Sequence, residues 1–264
     1  DLLVTSRRTP YNPFAAFNEA PRSRRLPNTR LETFVFACRD LDRYVDIQTA
    51  RGIRFMSDGI LETDSYRYIQ SPPSRYTGDS YGFVQWKGGR REHFHSGADA
   101  LELEVAKPDR DHLHDIGRLD HPATRVRAHD RDAAILEFLE YTNYRFQFAI
   151  YVKVFNSITN VARLGERDFA MVFTSGISPY INDRASGPTE KFIHNYGPRV
   201  HHMAFDTDHI EQTFGALGDD GMEFLLELVG SEDDGLKQTF SETSPNTLLV
   251  NEYIHRYGGF DGFF

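Results

Sequence analysis

The sequence has a single cysteine, Cys38, among its 264 residues. One cysteine excludes a disulfide within the chain and is typical of a reducing compartment, so we expect a cytoplasmic protein. No apolar run approaches the roughly 20 residues that a membrane-spanning helix needs, and we expect no membrane partner. The net charge of −9 argues against a nucleic-acid partner, because phosphate binding needs clustered lysine and arginine.

Aromatic residues are abundant, with 21 Phe and 13 Tyr, which favours a folded protein with apolar walls. The length allows one large domain or two domains of roughly 100 to 150 residues. The polar stretch 107–118 is the best candidate for a boundary. We therefore predict an N-terminal domain at 1–110 and a C-terminal domain at 115–264.

A repeated pattern links residues 31–56 to residues 200–226. In the first copy an apolar strand leads into an amphipathic helix at 40–51, Gly52 ends the helix, and a strand follows at 53–56. Three pairs of identical residues share an offset of 169 positions: Phe36 and Phe205, Gly52 and Gly221, Phe55 and Phe224. A β-strand, helix, β-strand unit cannot close a core alone, so we expect the copies to pair with neighbours.

A third copy of this unit begins at Leu119-Asp120-His121. The final copy ends in a predicted hairpin of strands at 235–240 and 247–254, joined by the turn residues Ser244-Pro245-Asn246. A further strand is predicted at the first residues, 2–5. The whole pattern predicts a chain built from repeated β-strand, helix, β-strand modules.

Two histidines and one glutamate are candidate metal ligands. His121 and His202 each lie in the first strand of a unit, just after the turn into it. Glu252 lies in the last strand among apolar residues, where an unpaired carboxylate would cost several kcal/mol. Two imidazoles and a carboxylate leave up to three coordination positions open, an arrangement suited to Fe(II) and O₂. His201 should point to the opposite face of its strand.

Two simpler interpretations of the same three residues stay open. Each residue can be a hydrogen-bonded core residue, or Glu252 can form an ion pair with a nearby arginine such as Arg256. The spacings between the three residues are too long to form a short motif.

An ordered set of segments resembles the 4-hydroxyphenylpyruvate dioxygenase family, within the vicinal oxygen chelate superfamily. The resemblance extends over nearly the whole chain and is strongest after residue 180. It is carried by these segments: Leu119-Asp120-His121, Tyr180-Ile181-Asn182-Asp183, Gly197 to Phe205, Gln238-Thr239-Phe240, Asn246 to Arg256 and Gly259 to Phe264.

The resemblance implies an α+β fold of paired βαβββ modules that form two half-barrels. It also implies that His121, His202 and Glu252 bind Fe(II), and that an aryl 2-oxo acid and O₂ are the substrates. The implied reaction couples oxidative decarboxylation to hydroxylation. With 4-hydroxyphenylpyruvate, or a relative of it, the product would be homogentisate-like, as in tyrosine degradation.

The same resemblance implies a substrate pocket. Asn182 and Gln238 match polar pocket positions, and Phe240 and Phe264 match an aromatic wall, although plain core packing explains these two phenylalanines equally well. At Phe192 the sequence departs from the family, because a pocket glutamine is replaced. A site without a hydrogen-bonding partner can discriminate strongly against the usual polar substrate.

Other departures concern the N-terminal module. The position equivalent to His202 is Thr33, which is no suitable ligand, so the module at 1–110 is expected to be metal-free. The strand at 2–5 resembles a late strand of the family's first unit, so the module is expected to be incomplete. The alternatives are an extradiol ring-cleaving dioxygenase, with His201 or His255 as acid/base, and a non-catalytic module that binds a metal or an aromatic ligand. A homo-oligomer stays open.

Overall fold

The structure is a computed structural model, and it describes residues 2–7, 9–26, 29–89, 91, 94–95, 99, 104, 106–165 and 168–263. The chain divides into two compact units. They are Asp1–Ala16 with Glu32–Ala106, and Phe17–Leu31 with Lys107–Phe264. The second unit thus includes a short segment, 17–31, that precedes most of the first unit in the sequence.

The first unit contains one βαβββ module. Its elements are β1 (Thr33–Ala37), α1 (Leu41–Ala50), β2 (Leu61–Glu62), β3 (Tyr66–Gln70) and β4 (Ser80–Trp86). The sheet has the order β1-β4-β3-β2, and β1 runs parallel to β4. The carboxylate of Asp40 caps α1 by accepting from the backbone N–H of Arg43 at 3.0 Å. The chain leaves the helix through Gly52, whose φ of +83° suits glycine.

The second unit contains two such modules. The first consists of β5 (Ile116–Arg125), α2 (Arg131–Tyr141), β6 (Arg145–Val152), β7 (Ser157–Arg163) and β8 (Met171–Gly176). The second consists of β9 (Arg199–Thr207), α4 (Ile210–Asp219), β10 (Phe224–Ser231), β11 (Leu236–Ser241) and β12 (Val250–Arg256), and α3 (Pro188–Tyr196) connects the two modules.

The eight strands described for the second unit form one sheet with the order β10-β11-β12-β9-β5-β8-β7-β6. The first strands of the two modules, β5 and β9, pair antiparallel at its centre. On each side the last strand of a module pairs parallel with its first strand, β8 with β5 and β12 with β9. Because the modules meet through their first strands, equivalent positions of the two copies lie close together.

The α+β fold class of paired modules is confirmed, and the predicted C-terminal hairpin is present as the antiparallel pair β11 and β12. Two predicted strands are wrong. Residues 2–5 are exposed and make no strand pairing. Residues 53–56 form no strand, and their backbone N–H groups make two hydrogen bonds, from Ile53 to Gln48 and from Met56 to Gln70. Both segments contain apolar residues, but neither pairs with a neighbouring strand. The helix α3 was not expected from the sequence.

The helices of the second unit bury one side against the sheet. Along α2, Ala134, Ile135 and Phe138 are buried, whereas Leu136 is 59% exposed. The ring of Phe138 lies 5.0 Å from that of Tyr144. Within the described part of the chain, no helix combines the length and the apolar composition that crossing a membrane requires.

We expect Phe138→Ala to lower the free energy of unfolding by about 3–5 kcal/mol, because it removes a fully buried ring and leaves a cavity. The matched control is Leu136→Ala on the exposed side of the same helix, with a change of about 0.5 kcal/mol or less. Urea unfolding followed by circular dichroism measures both. Equal losses in the two variants would contradict this packing.

Candidate metal centre

The three candidate ligands lie on three adjacent strands. His121 is on β5, His202 on β9 and Glu252 on β12, and β9 is the middle strand. Ala204 of β9 is the register partner of both His121 and Glu252, and His202 lies two residues before it, on the same face. The small side chain of Ala204 leaves room for the three larger side chains to converge.

The ligand atoms form a nearly equilateral triangle. His121 Nε2 and His202 Nε2 are 3.3 Å apart, and each lies 3.3 Å from Glu252 Oε2. Nitrogen and oxygen atoms bound to one ion at about 2.1 Å lie about 3.0–3.4 Å apart for angles between octahedral and tetrahedral. The three atoms are therefore already spaced to hold one divalent ion.

Burial makes this arrangement costly without a cation. The side chains of Glu252 and His121 are only 2% and 3% exposed, and that of His202 is 18% exposed. A buried carboxylate needs a positive partner or strong hydrogen bonds. Arg256, the suggested alternative partner, instead pairs with Asp120, with Nε 2.7 Å from Oδ2 and Nη2 2.8 Å from Oδ1. The ion-pair interpretation of Glu252 and Arg256 is therefore wrong.

A bulge in β5 places the carboxylate of Asp120 against the first histidine. Leu119 pairs with Phe205 and His121 with Ala204, so Asp120 is an extra residue in the ladder. Its Oδ1 lies 2.7 Å from His121 Nδ1. Such a contact fixes the ring orientation and keeps the Nδ1 proton in place, which leaves Nε2 free to bind a metal.

The charges around His121 favour a cation at this point. Burial lowers the pKa of His121, but Glu252 and Asp120 outweigh it and raise the pKa to about 9. Burial raises the pKa of Asp120, but Arg256 and His121 outweigh this effect and hold the pKa well below its usual range. In the metal-free protein a proton on His121 thus occupies the place of a metal ion.

A second bulge, in β9, contains His201. Ala123 pairs with His202 and Thr124 with Val200, which leaves His201 as the extra residue. His201 Nδ1 lies 3.0 Å from His202 Nδ1, so the expectation that the two side chains lie on opposite faces is wrong. The pKa of each histidine is lowered well below its usual value, first by burial. One of the two neutral rings can donate its Nδ1 proton to the other.

The strand β11 brings two predicted pocket residues to the same side as the triad. Phe240 is the register partner of Glu252, and its ring lies 5.6 Å from that of His202. Gln238, two residues earlier, is partly buried and faces the same side. A substrate-binding role for either residue stays a prediction.

The other predicted pocket residues have different environments. Phe192 lies on α3, is 8% exposed, and meets the ring of His201 edge-on at 5.0 Å. Asn182 is exposed, and its Oδ1 accepts from two backbone N–H groups of the following turn at 2.9 Å. Phe264 lies outside the described residues. Phe263, which was not predicted, meets the ring of His121 edge-on at 4.8 Å.

A second group of metal-binding residue types lies on the surface. Asp115 Oδ2 is 2.8 Å from His112 Nδ1 and 2.9 Å from His209 Nδ1. All three side chains are at least 28% exposed, and these contacts are ordinary hydrogen bonds. His112 and His209 are far apart in the sequence, and only the fold brings them together.

Comparisons with known proteins find the fold and no close relative. No protein-family model matches the sequence, and no curated protein matches it. A mutant of 4-hydroxymandelate synthase from Streptomyces coelicolor superposes with a TM-score of 0.67 over 97% of this chain and 76% of that chain, at 18% sequence identity. The two proteins share a fold. A methylmalonyl-CoA epimerase from Mycobacterium tuberculosis matches 54% of this chain and 89% of its own, with a TM-score of 0.44 and 13% identity.

We expect the protein to bind one Fe(II), or Co(II) as a probe, per chain at the triad. Glu252→Ala and His202→Ala should each weaken this binding at least about 100-fold, because each removes a ligand. Anaerobic titration calorimetry measures the dissociation constants. His209→Ala, in the surface group, is the control and should leave the tight site intact. Equal binding by the wild type and Glu252→Ala would contradict the assignment.

We expect Asp120→Asn to weaken metal binding by about 10- to 100-fold, because His121 loses the carboxylate that orients it. Asp208→Asn, an exposed substitution, serves as the control. The same calorimetric titration applies, with a circular dichroism spectrum to verify folding. An unchanged dissociation constant in folded Asp120→Asn would show that the contact with His121 has no influence on the metal.

Proposed function

We propose that this chain is a non-haem Fe(II) dioxygenase that couples oxidative decarboxylation of an aryl 2-oxo acid to hydroxylation. The observation that carries the proposal is the buried triangle of His121, His202 and Glu252 with edges of 3.3 Å. Two histidines and one carboxylate on one side of a metal are the ligand set of many non-haem Fe(II) oxygenases. We take 4-hydroxyphenylpyruvate or a related acid as the substrate and a homogentisate-like compound as the product.

Two further findings support this reaction class. The segments around all three ligands resemble the 4-hydroxyphenylpyruvate dioxygenase family, and the chain shares its fold with 4-hydroxymandelate synthase. We assign the protein on these grounds to the vicinal oxygen chelate superfamily of enzymes. Fe(II) would supply Lewis-acid and O₂ chemistry at the coordination positions that the triad leaves open.

Different residues of the protein would bind the ion and orient the ligand rings. Nε2 of each histidine and Oε2 of Glu252 would hold the ion. Asp120 retains the Nδ1 proton of His121, while His201 plays the corresponding part for His202. These contacts hold the ligand rings in one orientation and so preserve the spacing that the ion requires.

Aromatic rings surround the ligands and reduce their access to water. Phe263 packs edge-on against His121, and Phe240 packs edge-on against His202. Exclusion of water strengthens electrostatic interactions within the site and protects reactive species from side reactions. The same rings offer apolar surface to an aryl group of the substrate.

Extradiol cleavage of a catechol is the second candidate reaction, with His201 or His255 as the acid/base. A ring-cleaving enzyme needs an acid/base beside the metal, and the low pKa of His201 keeps it neutral. The other candidate, His255, binds the carbonyl oxygen of Thr207 at 2.7 Å through Nδ1. A non-catalytic module that binds a metal or an aromatic ligand is the third possibility.

We expect O₂ consumption with release of CO₂ when the Fe(II)-loaded protein receives aryl 2-oxo acids, because both processes belong to one reaction. An oxygen electrode and labelled-carboxyl release measure the two quantities over a panel of aryl 2-oxo acids and catechols. Glu252→Ala is the inactive control. O₂ uptake on catechols alone would favour ring cleavage, and the absence of turnover despite tight iron binding would favour a binding module.

A further inference from the structure

An arginine lies on the same face of β5 as the metal-binding histidine. Side chains alternate along a strand, so His121, Ala123 and Arg125 project to one side of the sheet. Ala123 is small and 2% exposed, so it separates the two larger side chains without filling the space between them. The guanidinium carbon of Arg125 lies 4.7 Å from the centre of the Phe192 ring.

Arg125 has no counter-ion among the residues that the structure describes. Its guanidinium instead makes a cation–π contact with Phe192. Arg256 and Arg199, two other arginines of this unit, have side-chain oxygen partners, which are Asp120 and Asn18. Arg125 therefore differs from arginines that only stabilise the fold.

The surroundings of Arg125 make its lack of a described counter-ion energetically costly. The residue is partly buried, and burial lowers the pKa of its guanidinium to about 9. Its charge also acts on His201 and His202, whose pKa values it lowers after the larger effect of burial. Contact with an aromatic face offsets only part of the cost of burying a cation.

The sum of the charges around the triad indicates the charge of a ligand that would neutralise the site. Asp120 and Arg256 neutralise each other. A divalent ion and Arg125 bring three positive charges, and Glu252 offsets one of them. A simple 2-oxo acid carries one negative charge and leaves the site positive. A ligand with two negative charges makes it neutral.

We propose that Arg125 binds a second acidic group of the ligand, so that the substrate is an aryl 2-oxo acid with a carboxylate at the end of its ring far from the metal. This inference rests on the proposed function. The four-residue separation places the backbones of His121 and Arg125 about 13 Å apart, a separation suited to opposite ends of such a ligand. Phe192 contacts Arg125 where the family resemblance implies a glutamine, so an aromatic ring stacked on a cation takes the place of a neutral hydrogen-bonding group.

The test compares ligands that differ only at the far end of the ring: phenylpyruvate, 4-hydroxyphenylpyruvate and 4-carboxyphenylpyruvate. Their dissociation constants are measured by anaerobic calorimetry on the Co(II)-loaded protein. We expect the wild type to bind the 4-carboxy compound about 10- to 100-fold more tightly than phenylpyruvate, the range for a charged hydrogen bond. Arg125→Gln should abolish this preference, so that the 4-carboxy compound and phenylpyruvate bind with similar dissociation constants.

Two variants complete the experiment. Arg125→Lys should retain part of the preference, because it keeps the charge but loses the planar fork of donors. Arg118→Gln, on the same strand and 76% exposed, is the matched control and should behave as the wild type. If the wild type binds all three acids equally but only with metal present, the inference is overturned and the proposed function stands.

Failure of the proposed function gives a different result. The 2-oxo acids would then bind equally well with and without metal, and Glu252→Ala would bind them as the wild type does. Benzoate titrated into the metal-free protein then decides the role of the arginine. Binding that is lost in Arg125→Gln and retained in Arg118→Gln supports the anion site, and binding that is absent or independent of Arg125 overturns it.

Discussion

The antiparallel pairing of β5 with β9 is the constraint on which the rest of the second unit depends. It joins the two modules through their first strands, so that equivalent positions of a repeated sequence approach each other at the centre of one sheet. The parallel pairing of β12 with β9 then adds the carboxylate. Because Ala204 is the register partner of both His121 and Glu252, its small side chain sets the space that the ligand atoms share.

The bulges in β5 and β9 lie next to the two candidate ligand histidines. Asp120 and His201 are the extra residues of two bulges, and each reaches the Nδ1 atom of a neighbouring ligand histidine. In a regular strand, adjacent residues point to opposite faces and could not make such contacts. The bulges thus allow consecutive residues to act on one site, a frequent use of this distortion.

The repeat made many of the helices and strands predictable. The register between strands that are far apart in the sequence could not be predicted. The helices Leu41–Ala50 and Ile210–Asp219 keep the offset of 169 residues, and Gly52 and Gly221 both adopt positive φ after them. His121 and His202 were candidate metal ligands because they occupy equivalent places in the repeat, and the fold brings both next to Glu252. The pairing of Asp120 with Arg256 depends on the bulge in β5. The contact of α3 with His201 depends on a connection that has no counterpart in the repeat. Residues 2–5 have the composition of a strand but form none, because no neighbouring strand pairs with them.

Glu252 and Arg125 carry opposite charges on the same face of the sheet, and the described contacts do not pair them. Direct pairing would satisfy both groups and close the site, as the pair of Asp120 and Arg256 does nearby. Held apart, Glu252 attracts a cation and Arg125 attracts an anion. A metal ion that chelates an acidic ligand meets both requirements, because it brings the two charges in one complex. Electrostatics therefore determines what the site binds, and the coordination positions left open by the three ligands determine what reaction can follow.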